Sequence, residues 1–228
     1  MRGRVVTIMA AAGTSSRTGG LDKLFVELDG QPLLAHTVGV FEGCPAIQEI
    51  VLVVSEANLQ NAWDLSVRQG WHKVTSICRG GQRRQDSVKQ GLLQAGSCDW
   101  VVIHDGARPL VTREIIEKGL AEAKEHGAAV AAVPVKDTIK VAQADLTVRS
   151  TLDRSLLWAV QTPQVFRYDL IYQGYTSPLG EATDDAMLLE RLGVKVKLYM
   201  GSYENIKVTT PEDFALAELI YHRRKASG

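Results

Sequence analysis

Apolar and polar positions along this chain follow two different periods, and the switches between them predict most of its elements. Val5-Val6-Thr7-Ile8-Met9-Ala10-Ala11-Ala12 is a short, nearly continuous apolar run. Such a run suits a strand buried on both faces of a parallel sheet. Further strands of this kind are expected at 50–54, 74–77, 100–103 and 128–133. Helices are expected between them at 32–42, 58–69 and 112–126. Another is marked by Val88, Gly91, Leu92 and Ala95, which recur at i, i+3, i+4 and i+7. Strand and helix alternating in this way predict an α/β fold with a mostly parallel central sheet flanked by helices on both faces.

Between 134 and 163 the rhythm breaks. Thr138-Ile139-Lys140-Val141 and Leu146-Thr147-Val148-Arg149 alternate in polarity, as half-exposed antiparallel strands do. The segment reads as a protruding β-arm, an insertion at about 135–162 in a single domain spanning 1–228. Unpaired strand edges invite association. A second copy of the chain is the simplest cover, which predicts a homodimer through the arm; a lid over the chain's own cleft is the alternative. Beyond the arm, a helix is expected at 182–192 and a strand at 194–199. A last helix begins with Thr210 as N-cap, Pro211 at the first helical position and Asp213 at the third.

Composition narrows the class. Hydrophobic residues make up 45% and charged residues 23% of 228, enough apolar material for a real core. Lys and Arg total 26, as do Asp and Glu, so no global field attracts nucleic acid. A partner that needs positive charge must find it locally. No run approaches the ~20 apolar residues that span a membrane. Cys44, Cys78 and Cys98 show no C-x-x-C spacing, which argues for a reducing compartment and against a disulfide frame or zinc site. Met1-Arg2-Gly3-Arg4 before the first apolar run superficially resembles a secretory signal, but cleavage there would delete the first strand. The expected location is the cytoplasm.

In a parallel sheet, ligands bind beyond the carboxyl ends of the strands. Three polar segments fall there. The first, from Gly13 to Lys23, has small residues that let backbone N–H groups approach an anion, and two cations, Arg17 and Lys23, to neutralise it. It is neither a Walker loop nor a G-x-G-x-x-G turn. The second, Gly80-Gly81-Gln82-Arg83-Arg84-Gln85-Asp86-Ser87, opens a helix. Its glycines allow close contact with a flat ring or phosphate, while Asp86 and Ser87 could equally cap the helix. The third begins at Asp105, directly after a buried strand, where a carboxylate needs a cation. Magnesium carried on a triphosphate would satisfy it, and so would Arg108 as a salt bridge. Of the remaining cations, Lys136, Lys140, Arg154 and Lys207, the last lies in an alternating stretch that can point into the cleft.

Taken together, these blocks resemble one family. They are Ala11-Ala12-Gly13-x-x-x-Arg17, Lys23, Gly80-Gly81-x-x-Arg84-x-Asp86-Ser87-Val88, His104-Asp105-x-Ala107-Arg108-Pro109 and Pro134-Val135-Lys136-Asp137-Thr138. Asp153-Arg154, Leu157-Trp158, Thr162-Pro163-Gln164, Thr183-Asp184 and Asn205-Ile206-Lys207-Val208-Thr209 follow in order. The chain is similar, from Val5 to about Ala217, to the 2-C-methyl-D-erythritol 4-phosphate cytidylyltransferases of the non-mevalonate isoprenoid pathway. It departs from them with Asp22-Lys23-Leu24 where Pro-Lys-Gln is common, Thr18 where Met is frequent, and Gln82 where Asp is frequent.

The resemblance implies a Rossmann-like nucleotidyltransferase that uses CTP, Mg2+ and 2-C-methyl-D-erythritol 4-phosphate. Arg17 and Lys23 would stabilise charge at the α-phosphate and leaving pyrophosphate. Arg154 and Lys207 would hold the acceptor phosphate, and Thr138, Arg108 and Thr183 would seat the acceptor. Ala11, Ala12, Gly81, Gln82 and Ser87 would read the cytosine, with Gly13, Asp105 and Ala107 also binding substrate and Asp105 the metal. A phosphate acceptor needs no general base, in keeping with the scattered histidines. Another polyol phosphate, such as ribitol 5-phosphate, is the alternative acceptor, and a non-catalytic nucleotide-binding module the alternative class.

Overall fold

The apolar runs become the strands of one sheet in the computed structural model, which describes residues 3–13 and 23–227. The first half comprises β1 (Val5–Ala11), β2 (Glu27–Leu28), β3 (Gln31–Pro32), α1 (Leu33–Glu42), β4 (Glu49–Val54), α2 (Leu59–Gln69), β5 (Val74–Arg79) and α3 (Arg84–Ala95). Then come β6 (Trp100–Asp105), α4 (Arg113–His126), β7 (Ala128–Pro134), β8 (Lys140–Ala142) and β9 (Val148–Thr151). The chain ends with β10 (Trp158–Arg167), α5 (Tyr168–Thr176), α6 (Ala186–Arg191), β11 (Lys197–Met200) and α7 (Pro211–Ser227).

Among the described residues the main sheet has seven strands in the order β11-β7-β10-β6-β1-β4-β5. All neighbours are parallel except β10, which runs antiparallel to both β6 and β7. Alternate side chains of β1 feed two cores. Met9 faces a layer made by α1, α2, α4 and α7, through Val38, Leu65, Leu120 and Ile220. Val6 and Ile8 face α3, α5 and α6, through Leu92, Ile171 and Leu188. Val6, Ile8 and Met9 are wholly inaccessible, each contributing ~1.5–3 kcal/mol of transfer free energy.

The sequence reading misplaced the chain after β7. Residues 158–162, expected as the end of the arm, belong to β10 in the sheet, where Trp158 pairs with Pro134 and Ala159 with Val133. The Pro163 inside the run argues against a central strand, and β10 accommodates it with an irregularity between Val160 and Gln164 and a cis Thr162–Pro163 bond. The arm hairpin itself is antiparallel as expected, but shifted along the chain to β8 and β9. The helix expected at 182–192 is shorter, Ala186–Arg191, and the strand expected at 194–199 is Lys197–Met200. α5 and the small β2–β3 hairpin were not anticipated. The last helix starts as its residues prescribe: Asp213 N–H donates to Thr210 Oγ1 at 3.2 Å, and Thr210 N–H to Asp213 Oδ2 at 2.9 Å.

Candidate active site

Strand ends β1 and β6 meet at their carboxyl termini and fix everything around them. Gly106 N–H donates to Ala10 O at 2.8 Å, and Val208 N–H to Ala107 O at 2.8 Å. The second bond brings the coil at 205–209 over the sheet end, so Lys207 reaches the cleft from irregular backbone rather than from a strand. Opposite lies the turn into α3. A Cβ on Gly80 would collide with Ala12 and Ser87, and one on Gly81 with Asp86, so only glycine lets this turn approach β1 so closely. Asp86 does cap the helix, accepting from Arg83 N–H at 3.3 Å. Buried Ser87 braces the turn: its hydroxyl accepts from Gly81 N–H at 3.1 Å and donates to Arg83 O at 3.1 Å.

Two clefts open from this sheet end. Ala11, Ala12, Gly13, Gly81, Gln82 and Ser87 line the first, together with Leu24 and Ala107. Arg108, Gln161, Thr162, Thr183, Asp184 and Glu190 line the second. Arg84, Asp105 and Lys207 line both. They form the seam.

Asp105 is the centre of that seam. Its side chain is 8% exposed and pairs with Arg84 Nε at 2.9 Å, Lys207 Nζ at 3.0 Å and Arg108 Nε at 3.5 Å. Burial acts to raise its pKa, but Arg84, Lys207 and Arg108 outweigh that and hold it well below the usual carboxylate range. Both expectations for this residue concerned a cation, and protein cations supply three. Arg84 is shared: its Nη2 also pairs with Asp185 Oδ2 at 2.8 Å. Burial works against the Arg84 charge, and the two carboxylates more than restore it. Arg108 Nη1 donates to Asn205 O at 2.7 Å, which ties the Lys207 coil to the same cluster. Beside it, desolvation pushes buried His104 down to about 3, so the ring stays neutral and takes no proton at ordinary pH.

The β10 irregularity shapes the second cleft. Thr162 Oγ1 accepts from Asp105 N–H at 3.1 Å, and Gln161 Nε2 donates to Ser202 O at 2.8 Å. Gln164 Nε2 donates to Asp184 Oδ2 at 2.9 Å and fixes the loop that carries exposed Thr183.

Several expected residues stand elsewhere. Arg17 lies outside the described residues, and Lys23 opens a short turn, Lys23–Phe25, whose Leu24 reaches the first cleft. Thr138 and Arg154 line neither cleft. Both are exposed on the arm, and Arg154 Nη1 donates to Lys136 O at 2.6 Å. Arg84 and Asp185 were assigned no role from sequence, because nothing in the local pattern tells a bridging arginine from a helix-end cation. Gln161 was hidden by the misread β10, and Thr162 stood in a family block without a role. Among the described residues no three His, Cys, Asp or Glu side chains cluster as a metal site.

A family model described as IspD, 2-C-methyl-D-erythritol 4-phosphate cytidylyltransferase, matches residues 5–223. The 2-C-methyl-D-erythritol 4-phosphate cytidylyltransferase of Dehalococcoides mccartyi is 51% identical over 217 residues, 95% of this chain and 96% of that protein. The protein of the same name from Alkaliphilus oremlandii is 47% identical, covering 96% and 95%. Among solved structures, 4-diphosphocytidyl-2C-methyl-D-erythritol synthase from Anaerococcus prevotii superposes with a TM-score of 0.85 at 30% identity, over 97% of each chain.

Proposed function

The chain belongs to the 2-C-methyl-D-erythritol 4-phosphate cytidylyltransferase family, and we propose that its two clefts hold the two substrates of that reaction. The enzyme transfers CMP from CTP to 2-C-methyl-D-erythritol 4-phosphate, making 4-diphosphocytidyl-2-C-methyl-D-erythritol for isoprenoid biosynthesis. Pyrophosphate balances the equation. The observation that carries the division of the site is the seam: Arg84, Asp105 and Lys207 border both clefts, which is where a bond between two substrates must form.

The first cleft takes the nucleotide. Its close-approach turn and small side chains at 11–13 suit a flat base and a backbone-bound phosphate chain. The second takes the polyol phosphate, whose hydroxyls find Gln161, Thr183 and Glu190 while Arg108 and Lys207 meet its phosphate. The acceptor phosphate is largely dianionic at neutral pH and attacks the α-phosphorus in line, so no side chain has to remove a proton. What the chain must overcome is repulsion between anions. Lys207, Arg84 and Arg108 at the seam, with Arg17 and Lys23 from the loop, serve that purpose.

Asp105 suits a magnesium ion carried chiefly by phosphates. Mg2+ takes one or two protein carboxylates together with substrate oxygens, and an ionised carboxylate has about four acceptor positions. Three cations pair with Asp105, and Lys207, 39% exposed, is the most accessible of them to yield to an incoming ion. When bound, Mg2+ supplies charge neutralisation on the triphosphate.

The arm completes the site in a homodimer. Several of its apolar side chains are left in solvent: Leu146 is 84% and Leu156 76% exposed. Carrying Arg154 and Thr138 there allows a second copy to bring them to its neighbour's acceptor cleft. The enzyme works in the cytoplasm, where charged substrates of this kind are found, and no helix among the described residues is long and apolar enough to cross a membrane.

Pyrophosphate release from CTP, UTP, GTP and ATP against a panel of phosphorylated polyols tests the assignment. CTP with methylerythritol phosphate is the expected pair; equal rates with ribitol 5-phosphate or with UTP would overturn it. Sharing of sites is tested by mixing the inactive variants Lys207→Ala and Arg154→Ala after dissociation. Mixed dimers carry one site with both residues intact, so activity returns to roughly a quarter of wild type for random pairing. A monomer in solution, or no recovery in verified mixed dimers, removes the shared site.

A further inference from the structure

Asp185 is a buried carboxylate that no step of the transfer uses. Its side chain is 1% exposed, at the end of the loop that forms one wall of the second cleft. Such a group is costly to bury unless both oxygens are engaged. Here one accepts from buried Tyr175 Oη, and the other pairs with Arg84 at 2.8 Å. Arg84 in turn donates Nε to Asp105 at 2.9 Å. One guanidinium therefore spans two buried carboxylates, with Nε on Asp105 and Nη2 on Asp185 set at fixed positions by its planar fork.

The geometry points to Asp185 as a positioning residue for the transfer: held by Tyr175, it shares Arg84 with Asp105 and keeps that guanidinium at the seam between the clefts. Without the Asp185 charge, Arg84 has Asp105 as its one carboxylate and turns fully onto it. Asp105 is then over-occupied, and the second cleft loses a cation that would face the acceptor phosphate. The neighbouring residue strengthens the arrangement. Gln85 accepts from Ala182 N–H at 3.2 Å and donates to Gly180 O at 3.4 Å, so the first turn of α3 grips the 180–185 loop at two points. That turn also lines the first cleft, and the Gln85 contacts hold it in place without Asp185. The effect should therefore fall on the acceptor side and on turnover, not on nucleotide affinity.

This inference rests on the assignment of the two clefts to CTP and methylerythritol phosphate, and wild-type product formation from that pair checks the assignment by itself. The inference is tested by a kinetic cycle of Asp185→Asn, Arg84→Gln and the double variant, with Tyr175→Phe as the milder probe and thermal unfolding measured for each. Asp185→Asn should lower kcat/KM for the acceptor by about ten- to a hundred-fold, with the KM for CTP within about three-fold of wild type. Tyr175→Phe should give a smaller loss in the same direction. In the Arg84→Gln background, Asp185→Asn should cost less than about two-fold, because its effect passes through the arginine. Multiplicative losses, or equal damage to both substrates, would mean that Asp185 merely holds the fold and would overturn the proposal. Should Asp185→Asn fail to fold, the cycle of Tyr175→Phe with Arg84→Gln decides by the same criterion. Absence of product from the wild type would instead remove the assignment on which it stands.

Discussion

At the seam, a carboxylate 8% exposed meets three cations within 3.5 Å, while on the arm the exposed Arg154 guanidinium donates to a backbone carbonyl, Lys136 O. Both regions place cations where the family resemblance puts phosphate chemistry. They differ in how the charge is held. Seam charges are fixed by one another and by the paired carboxyl ends of β1 and β6, so they are pre-organised before substrate arrives. Arm charges are held more loosely, Arg154 by the Lys136 carbonyl and Lys136 by the face of the Tyr203 ring, and none of them meets a buried carboxylate among the described residues. A substitution at the seam should therefore change chemistry and stability together, whereas one on the arm should change assembly or activity without unfolding the protomer.

The largest expected effect separates the regions by turnover. Lys207→Ala should lower kcat by roughly a hundred- to a thousand-fold, as for loss of one pre-organised transition-state donor. Lys136→Ala is the matched control, since Lys136 sits on the arm side with its ammonium 3.8 Å from the Tyr203 ring centroid. It should stay within about two-fold, as expected of an exposed cation–π contact. Steady-state kinetics on both variants decides; similar losses would erase the distinction.

Stability gives the second contrast. Asp105→Asn leaves Arg84, Arg108 and Lys207 without their shared anion and should cost about 3–5 kcal/mol in chemical denaturation, the usual penalty for breaking a buried pair. Added pyrophosphate should raise the unfolding midpoint of this variant more than that of wild type, because the freed cations then bind it. Asp153→Asn on the arm removes an exposed cap of a short turn, so its midpoint should not move measurably.

The third contrast is in pH. His104 is held neutral by burial, with its folded pKa pushed down to about 3. The unfolded chain therefore binds a proton that the folded chain refuses, below about pH 6.5. Stability should be fully present above that value and fall as pH drops toward 3. Asp105 acts lower: its depressed pKa adds stability present above about pH 4, which is lost as pH falls through the folded value. Denaturation of wild type and His104→Gln between about pH 4 and 7 should show a slope in the first that is flattened in the second. Parallel curves would mean that His104 titrates normally.

The same contrast explains what could be read from sequence. Buried parallel strands announce themselves as apolar runs, and the glycine pair at 80–81 announced a close approach that the collision of a Cβ with Ala12 explains. β10 escaped because its partners on both sides are antiparallel and a proline interrupts it, so local pattern and tertiary role disagree. Without β10 the second cleft had no wall, which is why Gln161 was missed and Thr162, though part of a family block, had no role. Arg84 escaped for another reason: its two carboxylates lie 21 and 101 residues along the chain, a relation that only folding creates. The arm's polarity alternation showed a hairpin but not its register, because with exposed side chains on both faces little penalises a slip of two residues.

The smallest effect lies at the tip of the arm, where Leu146 has φ of +65° and is 84% exposed. A leucine in the left-handed region costs roughly 1–2 kcal/mol relative to its preferred backbone, because Cβ crowds the carbonyl. Glycine removes that strain but enlarges the unfolded ensemble by roughly 0.5–1 kcal/mol. Leu146→Gly should therefore stabilise the protomer by about 0.5 kcal/mol, and Leu146→Ala, which keeps its Cβ, should not. No seam residue offers such a gain, since each is already tied to its neighbours. The substitution also sharpens the question of what covers the arm. If Leu146 packs against a second copy, Leu146→Gly weakens the dimer while the protomer's denaturation midpoint still rises, and the two measurements move in opposite directions. If the tip stays in water within the assembly, the dimer dissociation constant remains as it was. A leucine kept in a strained, exposed position then owes its place to neither protomer stability nor assembly, and the interface must lie nearer Leu156 and Trp158, at the base of the arm.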